Sequence, residues 1–234
     1  MHAARDSHKM VVHIIPARTS MKTVAILLFD DVEVLDFAGP FEVFGVTGGA
    51  NSLYQVFTVA ERAAPVLARN RLSINPAHDF ASMPHADILV IPGGYGTRRE
   101  KTNPAMLEFI RGKAVAAELV ISICSGALLL AKAGLLAGRH ATTHQGALAE
   151  LARDEPDCVV LPQARVVDNG KFILSAGISM GIEASLYTVA RQHGDAIAGA
   201  TADYMEYDWH YRHADGHRIV RPPVHAAAAT LPPG

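Results

Sequence analysis

The chain has 234 residues, 50% hydrophobic and 19% charged, which is a globular composition long enough for one large domain and excludes general disorder. With 21 basic against 23 acidic side chains the formal charge is −2. Neither nucleic acid nor an anionic membrane surface is therefore an expected partner. No apolar run reaches the roughly 18 residues of a spanning helix. The two cysteines, Cys124 and Cys158, exclude a disulfide framework and make a reducing cytoplasm the expected compartment.

Residues 1–20 lack the apolar core of a secretory signal and read as an N-terminal extension, with Met21 as an alternative start. Lys22–Phe29 is continuously apolar up to Asp30-Asp31, the pattern of a central parallel strand buried on both faces. Asp36–Val46 reads as a helix with Pro40 in its first turn. Leu53–Ala60 and Asp87–Pro92 read as strands, the second ending in Gly93-Gly94-Tyr95-Gly96. Pro104–Glu118 is predicted as a helix, Leu119–Ile123 as a buried strand, and Ser125–Leu136 as a helix closed by Gly138. His140–His144 reads as a short strand. Gln163–Asp168 and Lys171–Ala176 form a hairpin around Asn169-Gly170, a strong turn pair. Helices over Gly181–Gln192 and Ala196–Tyr207 complete a domain spanning 21–212, and 213–234 read as a weakly packed tail. Strands alternate with helices throughout, which predicts an α/β fold: a doubly wound, mainly parallel sheet of the flavodoxin-like kind with helices on both faces.

The chemistry concentrates where the Leu119–Ile123 strand runs straight into Cys124-Ser125-Gly126 and a helix. This is the strand–turn–helix context of a nucleophile elbow. Free N–H groups of the helix's first turn would favour a thiolate at Cys124 and stabilise an anion on the attacked substrate. On that basis Cys124 is expected to be a low-pKa, reactive thiol and Cys158 an inert one. Asp36, between Leu35 and Phe37, fits two roles: a buried carboxyl with raised pKa beside the thiol, or a capping acid for its own helix. Glu42 reads as a solvated helix residue. His210, His213 and His217 have loosely ligand-like spacing, but no cysteine or paired acid completes a site, so no metal is expected. Gly93–Gly96 lacks the spacing of a dinucleotide fingerprint.

Four segments together resemble the ThiJ/PfpI superfamily of class I glutamine-amidotransferase-like proteins: Phe29–Phe44, Asp87–Gly96, Ile121–Gly138 and Ala141–His144. The similarity is greatest to isonitrile hydratases and, equally, to the N-terminal domain of some AraC-type regulators. It implies Cys124 as nucleophile and Asp36 as the acid facing it. It also implies Gly94, Tyr95 and Ser125 at an oxyanion site, and His144 near the pocket mouth. A homodimer is implied too, with the helix carrying Phe37, Phe41 and Phe44 near the interface. Two departures narrow the function. There is no His-x-Glu for a glutaminase triad, and Ser125 stands where PfpI-type proteases have histidine. A helix-turn-helix region is not expected after the domain, so direct DNA binding is not implied. The leading expectation is a cofactor-free hydratase converting a small isonitrile to an N-substituted formamide. The alternatives are glyoxalase-like hydration of reactive carbonyls and a redox or ligand sensor built on the same cysteine.

Overall fold

The computed structural model describes residues 21–209 and 219–220. It opens with β1 (Lys22–Leu27), in which Val24, Ala25, Ile26 and Leu27 are all fully buried. A strand covered on both faces cannot alternate apolar with polar positions, and this one does not. Next come α1 (Val34–Val46), β2 (Tyr54–Ala60), the short hairpin of β3 (Val66–Leu67) and β4 (Ser73–Ile74), and β5 (His78–Asp79). β6 (Ile88–Ile91) leads to the one-turn α2 (Thr97–Glu100) and to α3 (Pro104–Ala116), and β7 (Leu119–Ile123) leads to α4 (Ala127–Lys132). β8 (His140–Ala141) and β9 (Val159–Val160) pair across α5 (Leu148–Asp154). The hairpin of β10 (Val166–Asp168) and β11 (Phe172–Ser175) precedes α6 (Met180–His193), α7 (Asp195–Tyr204) and β12 (Ile219–Val220).

Eight strands form one sheet in the order β12-β10-β11-β7-β6-β1-β2-β5. Every neighbouring pair is parallel except β10 with β11. α1, α6 and α7 pack together as one layer, and α2 to α5 make up the other. The fold is therefore the doubly wound, flavodoxin-like α/β architecture. Local chemistry fixes its joints. Asn103 caps α3 by accepting from the N–H groups of Ala105 and Met106, with Pro104 at the first position. Gly170 takes the left-handed conformation (φ 83°) that the β10–β11 turn requires.

Four expectations need correction. α1 begins at Val34, after the extended Glu33, so Pro40 lies inside the helix. The proline brings no N–H, and the Asp36 carbonyl loses its helical donor. The helix expected over Ser125–Leu136 is a 3₁₀ turn, Cys124–Gly126, running into an α4 that ends at Lys132. The strand expected over His140–His144 stops at Ala141, where its pairing with β9 ends, and the Thr142 and Thr143 hydroxyls beyond it donate to the Ala164 and Cys124 carbonyls. Within the segment read as a tail, Ile219–Val220 pairs with β10 at the sheet edge. The remainder of that tail, the extension 1–20 and the histidines at 210, 213 and 217 lie outside the described residues. Among those described, no helix is long and apolar enough to cross a membrane.

Candidate active site

β1 sits between β2 and β6. The chain leaves β1 for β2 on one side and later returns to β6 on the other. In open α/β sheets such a reversal marks the usual ligand position, here the carboxyl ends of β1 and β6. α1 delivers Asp36 there from β1, Gly93 and Gly94 follow β6, and Cys124 follows β7.

Cys124 is the first residue after β7 and adopts φ 54°, a left-handed conformation that costs a side-chain-bearing residue energy. Two bonds hold it there. Its N–H donates to the Ala176 carbonyl (3.1 Å), and its carbonyl accepts the Thr143 hydroxyl (2.6 Å). The sulfur faces the N–H groups of Ser125 and Ile178 and the carboxyl of Asp36. Asp36 is fully buried, and its Oδ2 accepts the Gly93 N–H (2.9 Å). Oδ1 is buried without a hydrogen-bond partner of ordinary geometry. The carboxyl thus faces the thiol, and α1 has no side-chain cap hydrogen bond at its start.

Burial pushes the Asp36 carboxyl up to about 7; the Gly93 N–H opposes the rise, the nearby Glu33 charge adds to it, and the thiol pulls it back. Burial, then the Asp36 charge, push the Cys124 thiol up to about 12, outweighing the Ser125 and Ile178 N–H groups. This reverses the expectation of a low-pKa thiol: desolvation beside a carboxyl overcomes the donors of a short helical turn. Cys158, at the entry to β9, is also raised, to about 11, by burial and by Glu155.

The remaining expected site residues divide. Ser125 sits beneath the thiol, buried, with its N–H on the sulfur. Gly94 is adjacent, but its N–H donates to Ser125 Oγ (3.0 Å), so this conformation does not offer that donor to an oxyanion. Tyr95 is 66% exposed and its ring lies 4.2 Å beneath the Arg69 guanidinium, so its side chain belongs to the surface. His144 accepts the Gly146 N–H at Nδ1 (3.1 Å). Its ring packs on Gly177, where a Cβ would come 2.3 Å from Cδ2. It therefore flanks the turn that carries Ile178. Ile178 itself was not anticipated. At φ 48° it is an outlier for a β-branched residue, and it sits where β11, a further parallel strand, ends in Ala176-Gly177. Among the described residues no group of three or more histidine, cysteine or acidic side chains is arranged to hold a metal ion.

A doubly wound sheet with a cysteine elbow facing a buried acid at its switch point defines a known class, and the chain belongs to the DJ-1/PfpI family, whose model matches residues 22–191. Within that class, the sequence is 35% identical to the isonitrile hydratase of Pseudomonas putida over 185 residues, 79% of this chain and 78% of that protein. It is 23% identical over 206 residues to the HTH-type transcriptional regulator GbdR of Pseudomonas aeruginosa, covering 87% of this chain and 56% of the regulator. A crystal structure of a ThiJ/PfpI family protein from Pseudomonas syringae superimposes with a TM-score of 0.75 at 28% identity, covering 88% of this chain and 82% of that one.

Proposed function

We propose that the protein is a cysteine-dependent hydratase that adds water to a small isonitrile and releases an N-substituted formamide, using no metal or organic cofactor. The observation that carries this reading is a fully buried carboxyl in contact with the elbow thiol, in a place where burial pushes its pKa up. The similarity to an isonitrile hydratase supports it. An isonitrile carbon must receive a proton and a nucleophile on the same atom, and Asp36 and Cys124 supply one each. A protonated oxygen with no other partner is poised to donate.

In the first half-reaction the Asp36 proton passes to the isonitrile carbon and the Cys124 sulfur bonds to that carbon. The carboxylate left behind takes the thiol proton, giving a thioimidate. In the second, Asp36, returned to its carboxylate form by releasing that proton to the imine nitrogen, accepts a proton from water as the water oxygen adds to carbon. Collapse breaks the carbon–sulfur bond as Asp36 returns its proton to the sulfur, and the hydroxyl proton of the intermediate passes to the Asp36 carboxylate as the C=O forms. The formamide leaves with one proton on carbon and one on nitrogen, and the two hydrogens of the water replace them, so both groups are reset. A buried, protonated thiol reacts slowly with oxidants, which weighs against the sensor alternative.

The test is formamide production from a panel of alkyl and aryl isonitriles. Cys124→Ala is expected to abolish it, and Asp36→Asn to lower it by about 100–10,000-fold. The rate kcat/KM is expected to fall as pH rises past about 7, where Asp36 ionises. No formamide above the buffer rate would overturn the reading and shift attention to carbonyl hydration.

A further inference from the structure

Behind the reacting pair, two buried hydroxyls grip the loop that holds Asp36. Thr97, fully buried at the start of α2, donates from Oγ1 to the Gly94 carbonyl (2.8 Å) and lies 3.2 Å from Ser125 Oγ. Ser125 Oγ accepts the Gly94 N–H (3.0 Å) and reaches the Gly94 carbonyl (3.1 Å). Both backbone polar groups of Gly94 are thus held by side-chain hydroxyls. The loop needs such a hold. Gly94 has φ 121°, and a Cβ there would come 2.3 Å from the Asp31 carbonyl. Two successive glycines have little conformational preference of their own. One residue back, the Gly93 N–H is the donor to Asp36 Oδ2, and the Gly93 carbonyl accepts the Glu33 N–H (2.9 Å).

The hydroxyl pair is anchored from outside. Arg98 Nη1 reaches Thr97 Oγ1 (3.3 Å) and the Gly94 carbonyl (3.5 Å), while its Nε and Nη2 hold Glu150 at 3.1 and 2.8 Å. Glu150 lies on α5 and also accepts from Lys101 (2.7 Å). α5 follows closely on Thr143, whose hydroxyl fixes the Cys124 carbonyl. The brace therefore joins the segment that carries the acid to the segment that holds the thiol.

We propose that Thr97 is a positioning residue: with Arg98 anchored on Glu150, its hydroxyl fixes the Gly93–Gly94 loop and so holds Asp36 against Cys124. Thr97 touches neither reacting group. Removing its hydroxyl takes one of several partners from Ser125 Oγ and from the Gly94 carbonyl, so the loop gains freedom and the Gly93 N–H loosens from Asp36. The turnover measurement rests on the hydratase reading; the thiol measurement does not.

The full chain is compared as wild type, Thr97→Val, Thr97→Ser and Arg98→Met. Valine keeps the shape and removes the hydroxyl, and serine restores it. Thr97→Val is expected to lower kcat about tenfold with KM within about twofold, as a misplaced catalytic group does. Its pH–rate fall is expected to move to higher pH, because a donor that favours ionised Asp36 is weakened. Iodoacetamide alkylation of Cys124 is expected to become faster at each pH, since the carboxyl no longer sits tightly against the thiol. Thr97→Ser is expected to behave as wild type, and Arg98→Met to shift in the same direction by less. Wild-type pH profiles in Thr97→Val, or equal damage from valine and serine, would overturn the proposal. If Thr97→Val fails to fold, Arg98→Met decides, and an unchanged alkylation profile there overturns it as well. A wild type that turns over no isonitrile defeats the hydratase reading, while the alkylation series still decides the role of Thr97.

Discussion

Asp36 is both the acid of the proposed reaction and a cost to the fold. Its carboxyl is raised from 3.8 to about 7, so the folded state favours the protonated form. A group raised in this way contributes stability that is present below its unfolded pKa and lost as pH rises through its folded one. The wild type is therefore expected to lose stability relative to Asp36→Asn between about pH 4 and 7, by a few kcal/mol for a shift of this size. Urea unfolding of both proteins near pH 4, 6 and 8 measures the difference, and a pH-independent difference would refute it. The same charge acts on the thiol. Cys124 is expected to alkylate slowly at neutral pH and to speed up only well above the free-thiol midpoint of about 8.5. Asp36→Asn should bring that midpoint down, because the amide removes the neighbouring negative charge. A wild-type midpoint at or below the free value would mean that the helix-terminus donors outweigh burial after all.

Between elements, the elbow exists because two backbones approach without a side chain between them. A Cβ on Gly126 would lie 2.1 Å from the Ile91 carbonyl oxygen and 2.9 Å from that of Pro92. Both obstacles are main chain at the end of β6, so no rotamer change relieves them. Gly126→Ala is expected to cost about 4 kcal/mol or more, the range reserved for severe core changes. Gly112, exposed in the middle of α3, has nothing within 4 Å of the same Cβ. Gly112→Ala is expected to stabilise by roughly 0.5–1 kcal/mol through helix propensity alone. Paired denaturation curves give opposite signs if strand-to-helix contact sets the cost, and similar signs if it does not. Legibility in the sequence follows the same division. The central strands were readable because burial on both faces leaves long apolar runs. α5 was not: with Leu151 its one buried residue, seven residues carry too little periodicity. The end of β8 was equally hidden, since it is set by how far β9 pairs with it, which residue type does not record.

Over the whole molecule, the segments carrying Asp36, Gly94, Cys124 and Ser125 were visible as motifs because their side chains and glycines are what the family resemblance rests on. Ile178 and Thr97 were not, because one offers only a backbone N–H and the other acts through Gly94; neither function constrains a recognisable pattern. The α1 surface shows how far patterning reaches. Its three phenylalanines were expected near a dimer interface, but Phe37 and Phe44 are buried within the chain and only Phe41, 41% exposed, faces out. Phe41 belongs to a different stripe. Val34, Ala38, Phe41 and Gly45 recur at i, i+4, i+7 and i+11, which places them on one helix face. Val34 and Ala38 are half-buried and Gly45 is exposed. Small residues on either side of a protruding ring let a second helix approach closely, and the same stripe on a second copy can meet it across a two-fold axis. The homodimer that the family resemblance implies, with α1 near its interface, is kept as a proposal, and Phe41 is the side chain that tests it. Light scattering at micromolar concentration is expected to give twice the chain mass of 25.0 kDa. Phe41→Glu is expected to give a single-chain mass with an unchanged far-UV spectrum, because two buried like charges would face each other across the axis. A wild type at 25.0 kDa rejects the dimer. A Phe41→Glu protein that still dimerises places the interface on another face of the molecule.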